Sequence, residues 1–199
     1  MLLVALAVRI DSPGPILFCQ KRTGRHRKEF VLLKLRSMYS SAAPGACVTV
    51  DGDARITRVG SFLRRFKLDE LPQFWNVVKG DLSLVGPRPK LAQLEPLAMP
   101  YRPGITGSAT LVFRCEESLL VHVPEESLDA FYHAHIMPSK AQMDREYMEN
   151  ATLLSDLGIL LKTATSWMEE PHHSVLARIA REAMLMRQDA PAVQTTPDS

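Results

Sequence analysis

Proline and glycine interrupt the first 107 residues of the chain so often that only short helices and strands are expected there. The stretches Ser12–Pro15 (SPGP), Gly86–Pro89 (GPRP) and Pro103–Gly107 (PGITG) each combine both residue types. Proline fixes φ and lacks an N–H, and glycine weakens regular structure, so each stretch predicts a turn or loop. This part of the chain is therefore expected to consist of short elements joined by turns and loops.

Composition places the chain among folded proteins without a multi-span membrane domain. Of its 199 residues, 46% are apolar and 23% are charged, close to the average of globular domains. No stretch approaches the roughly 18 apolar residues that a spanning helix needs. The apolar stretch Met1–Val8 is consistent with a buried strand or helix end, or with a segment that dips into a membrane.

Charge is distributed unevenly along the sequence. Residues 20–36 contain seven Lys and Arg against one acid, and residues 55–90 contain eight against three, whereas residues from 115 onward are acidic. A basic first half predicts attraction to nucleic acid, phospholipid headgroups or phosphorylated small molecules. Nucleic acid is the less favoured partner, because residues 20–36 contain only Phe30 as an aromatic residue for base stacking.

The hydrophobic pattern predicts an α/β fold that is mostly helical with a small β-hairpin. Ile16–Gln20 and Glu29–Leu35 are strand-like and flank a basic turn. Residues 39–54 predict a mobile loop, and residues 108–113 a short strand. Further helices are expected at about 126–135, 139–149, 154–168 and 174–187, with Leu153, Leu154, Leu157, Leu160 and Leu161 forming an apolar face.

Two short helices are predicted in the middle of the chain from their capping residues. Thr57 is expected to cap a helix over 58–66, and Asp69 one over 70–79. Pro72 in the first turn and Gly80 after the last residue fit the boundaries of the second helix. The first helix is expected to bury Val59, Phe62, Leu63 and Phe66.

Asp69 and Glu70 are adjacent carboxylates at the predicted start of the second helix. Nearby cations and the helix N-terminus are expected to keep both ionised. Such a carboxylate can attack phosphorus while its neighbour holds a divalent cation. A helix cap followed by a first-turn acid is a common structural pattern, so the pair alone leaves both interpretations open.

Arg88 lies between Pro87 and Pro89, which fix its backbone and remove two competing N–H donors. A guanidinium held in this way suits a bidentate contact with phosphate, although a solvated loop explains the pattern equally well. The backbone amides of the PGITG stretch form a second candidate anion cradle. Arg114, expected to follow a strand, is placed to point toward the same region.

Taken together, three stretches resemble the bacterial sugar transferases, the monotopic polyprenyl-phosphate phosphoglycosyl transferases. They are SPGPILFCQKRTGRHRKEFVLLKLRSM, RVGSFLRRFKLDELPQFWNVVKGDLSLVGPRP and YRPGITG, and the resemblance covers roughly residues 8–168. It implies that a nucleotide diphosphosugar, usually a UDP-sugar, gives its phosphosugar to a membrane polyprenyl phosphate and releases a nucleoside monophosphate. This reaction begins the membrane stage of exopolysaccharide, O-antigen or glycan synthesis.

The resemblance also implies a ping-pong mechanism through an aspartyl phosphosugar, with Mg²⁺ as cofactor. By position in the motif, Asp69 matches the nucleophile, Glu70 matches its partner, and the two are the expected metal ligands. The positions expected near the substrate phosphates, or shaping the loop beside them, are Arg64, Pro87, Arg88, Pro89 and Arg114. The basic segment 20–36 suits anionic lipid headgroups.

The implied organisation is a partial membrane-dipping segment (1–11), a catalytic domain (12–168) and a C-terminal helix with a disordered tail (169–199). Members of the family carry a longer apolar re-entrant segment, and Met1 falls near the start of its second half, so a truncated segment is expected. The implied location is the cytoplasmic face of the bacterial inner membrane, with membrane lipids and downstream glycosyltransferases as partners. Two alternatives remain open: an inactive fragment that binds a membrane or a partner enzyme, and a basic nucleic-acid-binding module.

Overall fold

The computed structural model describes residues 2–40, 49–90, 100–165 and 174–189. The helices in these ranges are α1 (Leu2–Asp11), α2 (Arg58–Arg65), α3 (Gln73–Lys79), α4 (Ser108–Val112), α5 (Glu116–Leu120), α6 (Leu128–Phe131), α7 (Met137–Asn150), α8 (Leu153–Thr165) and α9 (Ser174–Asp189). The strands are β1 (Leu17–Thr23), β2 (Glu29–Leu35), β3 (Ser83–Val85) and β4 (Gly104–Thr106). The fold is mostly helical with two small sheets, as predicted. Residues 41–48 of the predicted 39–54 loop and the predicted tail after residue 189 lie outside the described residues.

β1 and β2 form the predicted antiparallel hairpin and pair along their full lengths. The predicted first strand ended at Gln20, whereas β1 continues to Thr23. The two strands are connected through a single 3₁₀ turn at Arg25–Arg27. The connection is therefore shorter than the basic turn that was predicted between Gln20 and Glu29.

The hairpin places part of its positive charge on its inner face. Opposite residues of an antiparallel pair share a face, so Arg22 lies beside Phe30, on the same face as Lys34. Arg36, just after β2, is buried as well. The exposed cations of the segment are Lys21, Arg25, Arg27 and Lys28. The prediction that the whole basic segment serves lipid headgroups is therefore wrong for three of its seven cations.

α1 packs onto the hairpin and α2. Its Val8 side chain is 2% exposed and contacts Leu35 and Leu63. The guanidinium of Arg36 donates to the carbonyl oxygens of Ser12 at 2.7 Å and Val8 at 3.3 Å. Carbonyls at the C-terminal end of a helix have no partner within it, so Arg36 attaches the end of α1 to the hairpin.

α2 begins at its predicted cap but buries a narrower face than predicted. The Oγ1 of Thr57 accepts a hydrogen bond from the Gly60 amide at 2.9 Å. Leu63 is 1% exposed, whereas Phe62 is 56% and Phe66 is 45% exposed. The buried cluster formed with α1 and β2 lies on the Leu63 side of the helix, so the two phenylalanines project away from it.

The chain between α2 and α3 differs from the prediction. Asp69 does not cap a helix but lies inside a 3₁₀ turn, Leu68–Glu70. Lys67, with a left-handed φ of +54°, separates α2 from this turn. A residue other than glycine adopts that conformation at a cost in strain, and it changes the direction of the chain here. The turn that follows buries both carboxylates.

α3 starts after Pro72 and ends at Gly80, whose φ of +81° is typical of a helix C-terminus. The end at Gly80 was predicted correctly, whereas the helix begins at Gln73 rather than at residue 70, so Pro72 precedes the helix instead of lying in its first turn. The fully buried side chain of Asn76 ties α3 to β2: its Oδ1 accepts from the Leu33 amide at 3.1 Å, and its Nδ2 donates to the Val31 carbonyl at 2.8 Å. The turn before α3 is thereby fixed relative to the inner face of the hairpin.

The two Pro/Gly loops meet because β3 and β4 pair in parallel. A Cβ on Gly104 would lie 2.2 Å from the Gly86 nitrogen, and one on Gly107 would lie 2.4 Å from the Gly86 oxygen, so glycine is required. The Gly104 amide donates to the Pro87 carbonyl at 2.8 Å, and the Gly86 amide donates to Thr106 at 2.9 Å. The predicted anion cradle is therefore wrong for the Gly104 amide, which is already bonded.

The strand predicted over 108–113 is instead the helix α4, and the strand β4 precedes it. The amide of Leu111 donates to the Gly107 carbonyl at 3.0 Å, and that of Phe113 to Ala109 at 2.9 Å. Ala109 and Phe113 are both buried and four residues apart, which is a helical spacing that the short apolar run did not reveal. Arg114 consequently lies in the turn after a helix.

The C-terminal helices surround a second core. Its buried members are Phe113, Leu120, Val123, Leu128, Phe131, Ile136, Ile179 and Ala183. The helix predicted over 126–135 is divided into a 3₁₀ turn, α6 and a π-helical turn at Tyr132–Ile136 that runs into α7. α7, α8 and α9 correspond to the other three predicted helices.

The predicted apolar face of α8 exists but is largely uncovered. Within α8 only Ile159 is buried. The exposed leucines are Leu153 (89%), Leu154 (81%), Leu157 (54%) and Leu161 (62%). In the described ranges, no helix combines the length and the apolar character needed to cross a membrane.

Candidate active site

The two carboxylates of the 3₁₀ turn lie at the junction of α2, α3 and the inner face of β2. Asp69 is 6% exposed and Glu70 is 8% exposed. Carboxylates that are buried to this extent need cations or hydrogen-bond donors beside them. The two residues differ in the partners that surround them.

Glu70 is neutralised by two cations from different elements. Its Oε1 accepts from the Arg88 guanidinium and from the Lys34 Nζ, the latter at 3.3 Å. Burial alone would raise the pKa of Glu70, but the positive charges of Arg88 and Lys34 outweigh it and lower the pKa to about 2. Glu70 is therefore ionised at neutral pH, as predicted.

Asp69 lacks such a partner. Its Oδ1 is buried and makes no hydrogen bond with any described residue. Burial raises the pKa of Asp69 above its usual value, Lys34 opposes the rise, and the negative Glu70 adds to it. Burial thus opposes the predicted effect of the nearby cations, because the two cations that bind a carboxylate directly, Arg88 and Lys34, bind Glu70. The site thus contains a carboxylate oxygen that is free to meet a ligand.

The loop that carries Arg88 is held firmly. Pro87 and Pro89 are both buried, and the hydrogen bond from Gly104 to the Pro87 carbonyl attaches the loop to β4. The Arg88 side chain is 42% exposed while its guanidinium contacts Glu70. The structure therefore brings Arg88 to the carboxylate pair, as the motif predicted.

Arg64 and Arg114 are placed differently from Arg88. Arg64 forms an ion pair with Glu117 of α5, yet it remains close enough to Asp69 to lower the pKa of that carboxyl. Arg114 is half-buried, and its Nη2 is enclosed without a hydrogen-bond partner among the described residues. An enclosed hydrogen-bond donor without an acceptor is consistent with a residue that binds an anionic ligand.

Lys34 is the functional candidate that the sequence analysis missed. It lies on the same face of β2 as the buried Phe30 and Leu32, and its side chain is 21% exposed. Burial and then the positive Arg88 lower the pKa of Lys34. The signal was present in the sequence, because a lysine that continues the apolar face of a strand requires a buried anionic partner.

The carboxylate pair provides only part of a metal site. Within the described ranges there is no group of three or more His, Cys, Asp or Glu side chains arranged to hold a metal ion. Mg²⁺ commonly uses one or two protein carboxylates and completes its shell with water and substrate phosphates. The unpaired Asp69 Oδ1 beside Glu70 fits a cation of that kind.

Comparison with known families gives a match over most of the chain. Residues 1–170 match the sequence model of the bacterial sugar transferases. The chain belongs to that family. Its matched region contains the hairpin, the carboxylate pair, the Arg88 loop and the helices through α8, whereas α9 follows it.

Several characterised relatives are similar over much of the chain. The UDP-glucose:undecaprenyl-phosphate glucose-1-phosphate transferase of Xanthomonas campestris is 40% identical over 177 residues, which cover 82% of this chain and 34% of the relative. The Caulobacter vibrioides protein of the same name is 37% identical over 177 residues, covering 83% and 61%. The UDP-N-acetylgalactosamine-undecaprenyl-phosphate N-acetylgalactosaminephosphotransferase of Aeromonas hydrophila is 44% identical over 124 residues, covering 56% and 29%. The chain thus spans about one third of the length of the Xanthomonas and Aeromonas proteins and about three fifths of the length of the Caulobacter protein.

Proposed function

We propose that this protein transfers a phosphosugar from a nucleotide diphosphosugar, of which a UDP-sugar is the first candidate, to membrane undecaprenyl phosphate. The observation that carries the proposal is the contrast between the two buried carboxylates: Glu70 is bound by Arg88 and Lys34, and Asp69 has an unpaired oxygen. The names of the relatives support the substrate classes. The product would be the first membrane-bound intermediate of exopolysaccharide, O-antigen or glycan synthesis.

The proposed chemistry has two displacements at one phosphorus. A carboxylate oxygen of Asp69 attacks the sugar-bearing phosphorus of the diphosphate, and the bond to the nucleoside monophosphate oxygen breaks. An oxygen of undecaprenyl phosphate then attacks the same phosphorus, and the bond to Asp69 breaks. A carboxylate whose pKa is raised by burial is a better nucleophile than an ordinary aspartate, provided that it is ionised.

The surrounding cations reduce the electrostatic repulsion between the substrate phosphates and the two carboxylates. Two substrate phosphates and two carboxylates repel one another, so positive charge must be supplied before they can approach. Arg88 and Lys34 neutralise Glu70, and Arg64 and Arg114 are the further candidates to meet phosphate oxygens. Asp69 and Glu70 would hold Mg²⁺ together with those oxygens, and the ion would supply charge for the departing phosphate.

Association with the membrane is part of the proposal, because one substrate is a lipid. Apolar side chains are exposed on several helices rather than buried. They include Leu3, Leu6 and Ile10 of α1, Phe62 of α2, Phe74, Trp75 and Val78 of α3, and the α8 leucines. Exposed apolar surface on this scale is typical of proteins that bind a membrane or another protein. α1 would then dip into the cytoplasmic leaflet of the bacterial inner membrane.

A nucleotide-release assay tests the proposal directly. The protein, reconstituted in lipid with Mg²⁺, is incubated with a panel of UDP-sugars, with and without undecaprenyl phosphate, and UMP is measured. We expect up to one equivalent of UMP without the acceptor and continuous release with it. Mass spectrometry should then locate a sugar phosphate on the peptide containing Asp69. Vesicle binding without UMP release from any nucleotide sugar would instead favour an inactive, membrane-binding fragment.

A further inference from the structure

Arg22 connects the hairpin to the loop that carries Arg88. Its Nη1 donates to the Pro89 carbonyl at 3.1 Å. The amide of the next residue, Thr23, donates to the Lys90 carbonyl at 3.1 Å. Two consecutive residues of β1 therefore bind two consecutive carbonyls on the C-terminal side of Arg88.

The guanidinium of Arg22 is oriented by a neutral partner. Its Nε and Nη2 donate to the Gln20 Oε1 at 3.1 and 2.6 Å. Gln20 and Arg22 lie two residues apart on the inner face of β1, so the glutamine can hold the planar group without adding charge. Among the described residues, Arg22 has no carboxylate partner.

Arg22 and Arg88 both belong to contacts of this loop, but the neighbouring carboxylates act on Arg88 and not on Arg22. Glu70 is paired with Arg88, whereas Arg22 is half-buried and unneutralised. Burial and then the positive charge of Arg88 lower the pKa of Arg22 to about 10. Such an arrangement is unfavourable in the free protein, and an anion that binds beside Arg88 relieves it.

We propose that Arg22 is a positioning residue that holds the Gly86–Lys90 loop and, through its repulsion with Arg88, favours binding of the substrate diphosphate. This rests on the proposed function. The ligand groups recognised are the phosphate oxygens of a diphosphate. Arg22 influences their binding indirectly, through the loop that carries Arg88. The same role explains why a basic residue of the 20–36 segment faces inward rather than toward lipid headgroups.

Arg25 provides a matched control. It belongs to the same hairpin, and its Nε also donates to a proline carbonyl, that of Pro100, at 2.7 Å. Unlike Arg22, it is exposed. Arg25→Met therefore removes an arginine and a similar hydrogen bond without removing the inward-facing charge.

The experiment measures the increase in Tm caused by inorganic pyrophosphate, without Mg²⁺ and at constant ionic strength adjusted with NaCl. A ligand of the folded state raises Tm by mass action. We expect the increase in the parent protein and in Arg25→Met, and a decrease of about half or more in Arg22→Met. Inorganic phosphate at the same ionic strength should give a smaller increase than pyrophosphate. If Arg22→Met does not fold, Arg22→Lys, which keeps the charge but lacks the planar fork, replaces it and should also give a reduced response.

A merely structural Arg22 would lower the Tm in NaCl and leave the pyrophosphate-induced increase unchanged, and that result would overturn the proposal. Absence of any pyrophosphate effect in the parent protein would overturn it as well. The outcome is separate from that of the proposed function, because no turnover is measured. A protein that responds to pyrophosphate through Arg22 but releases no UMP would refute the transfer reaction and retain the anion site.

Discussion

Arg88 and Glu70 form an ion pair across the junction between the Pro/Gly loop and the turn after α2, and Lys34 joins it at 3.3 Å from the same carboxylate oxygen. Arg88 and Lys34 both bind Glu70, so the neighbouring Asp69 keeps a buried oxygen without a partner among the described residues. Two adjacent acids that look equivalent in the sequence therefore have different electrostatic environments.

Asp69→Asn should abolish UMP release while preserving the fold. An amide cannot form the phosphoryl intermediate, and we expect a loss of at least about a thousandfold in kcat. Since burial raises the pKa of Asp69, its charge destabilises the folded protein as the pH rises above the ordinary value. The variant should therefore have an equal or higher Tm at pH 7.

The exposed Asp129 supplies the control for that experiment, because Asp129→Asn changes an acid of the same type away from the site. It should keep both parent activity and parent Tm. Near-normal turnover of Asp69→Asn would show that Asp69 has no covalent role.

Arg88→Lys should reduce kcat/KM for the nucleotide sugar even though the charge is retained. Lysine lacks the planar fork that can bind a phosphate and Glu70 together. The expected penalty is about 1–3 kcal/mol, the usual range for a hydrogen bond to a charged group. Steady-state kinetics in a defined lipid would measure it, with Arg65→Lys at an exposed position of α2 as the control.

Equal kcat/KM for the parent and Arg88→Lys would remove Arg88 from substrate binding. The Tm should change little in this variant, because a lysine can still neutralise Glu70. A large fall in Tm would indicate that the guanidinium is needed mainly for the fold.

Glu70→Gln should make stability less dependent on acidic pH. The pKa of Glu70 is lowered from 4.5 to about 2, so its stabilising contribution is complete above about pH 4.5 and is lost as the pH falls toward 2. The free energy of unfolding should therefore be lower in Glu70→Gln than in the parent at pH 7. Urea titrations at a series of pH values should show the two curves converging between these limits. A constant difference across that range would mean that the charge of Glu70 does not stabilise the fold.

The apolar face of α8 should contribute to membrane binding. We expect the protein to float with anionic vesicles, and high salt to weaken the association without removing it, because salt screens charge but not apolar burial. Leu157→Glu with Leu161→Glu should reduce flotation and leave Tm unchanged, since both side chains are exposed. Leu185→Glu on α9, also exposed, is the control. Complete release by salt alone would show that only charged groups bind the vesicle.

Local signals in the sequence predicted much of the framework correctly. The strands on either side of the basic turn, the Thr57 cap and the Gly80 boundary depend on interactions within a few residues. The same holds for the later helices, whose periodicity extends over several turns. The carboxylate pair and the Arg88 loop were singled out through the resemblance of the sequence to the bacterial sugar transferases, and the structure brings them into contact.

Tertiary structure decided how those residues differ from one another. Asp69 lies in a 3₁₀ turn because Lys67 reverses the chain and Asn76 fixes the following helix to β2, and no local preference indicated this. Lys34 comes from a strand 36 residues away from Glu70 in the sequence, and its arrival changes the charge of the site. A short apolar run such as 108–113 is compatible with either a strand or a helix. Packing against buried neighbours decides which of the two forms. Local patterns thus determine where elements begin and end, whereas the pairing of charges depends on contacts between distant segments that only the folded chain creates.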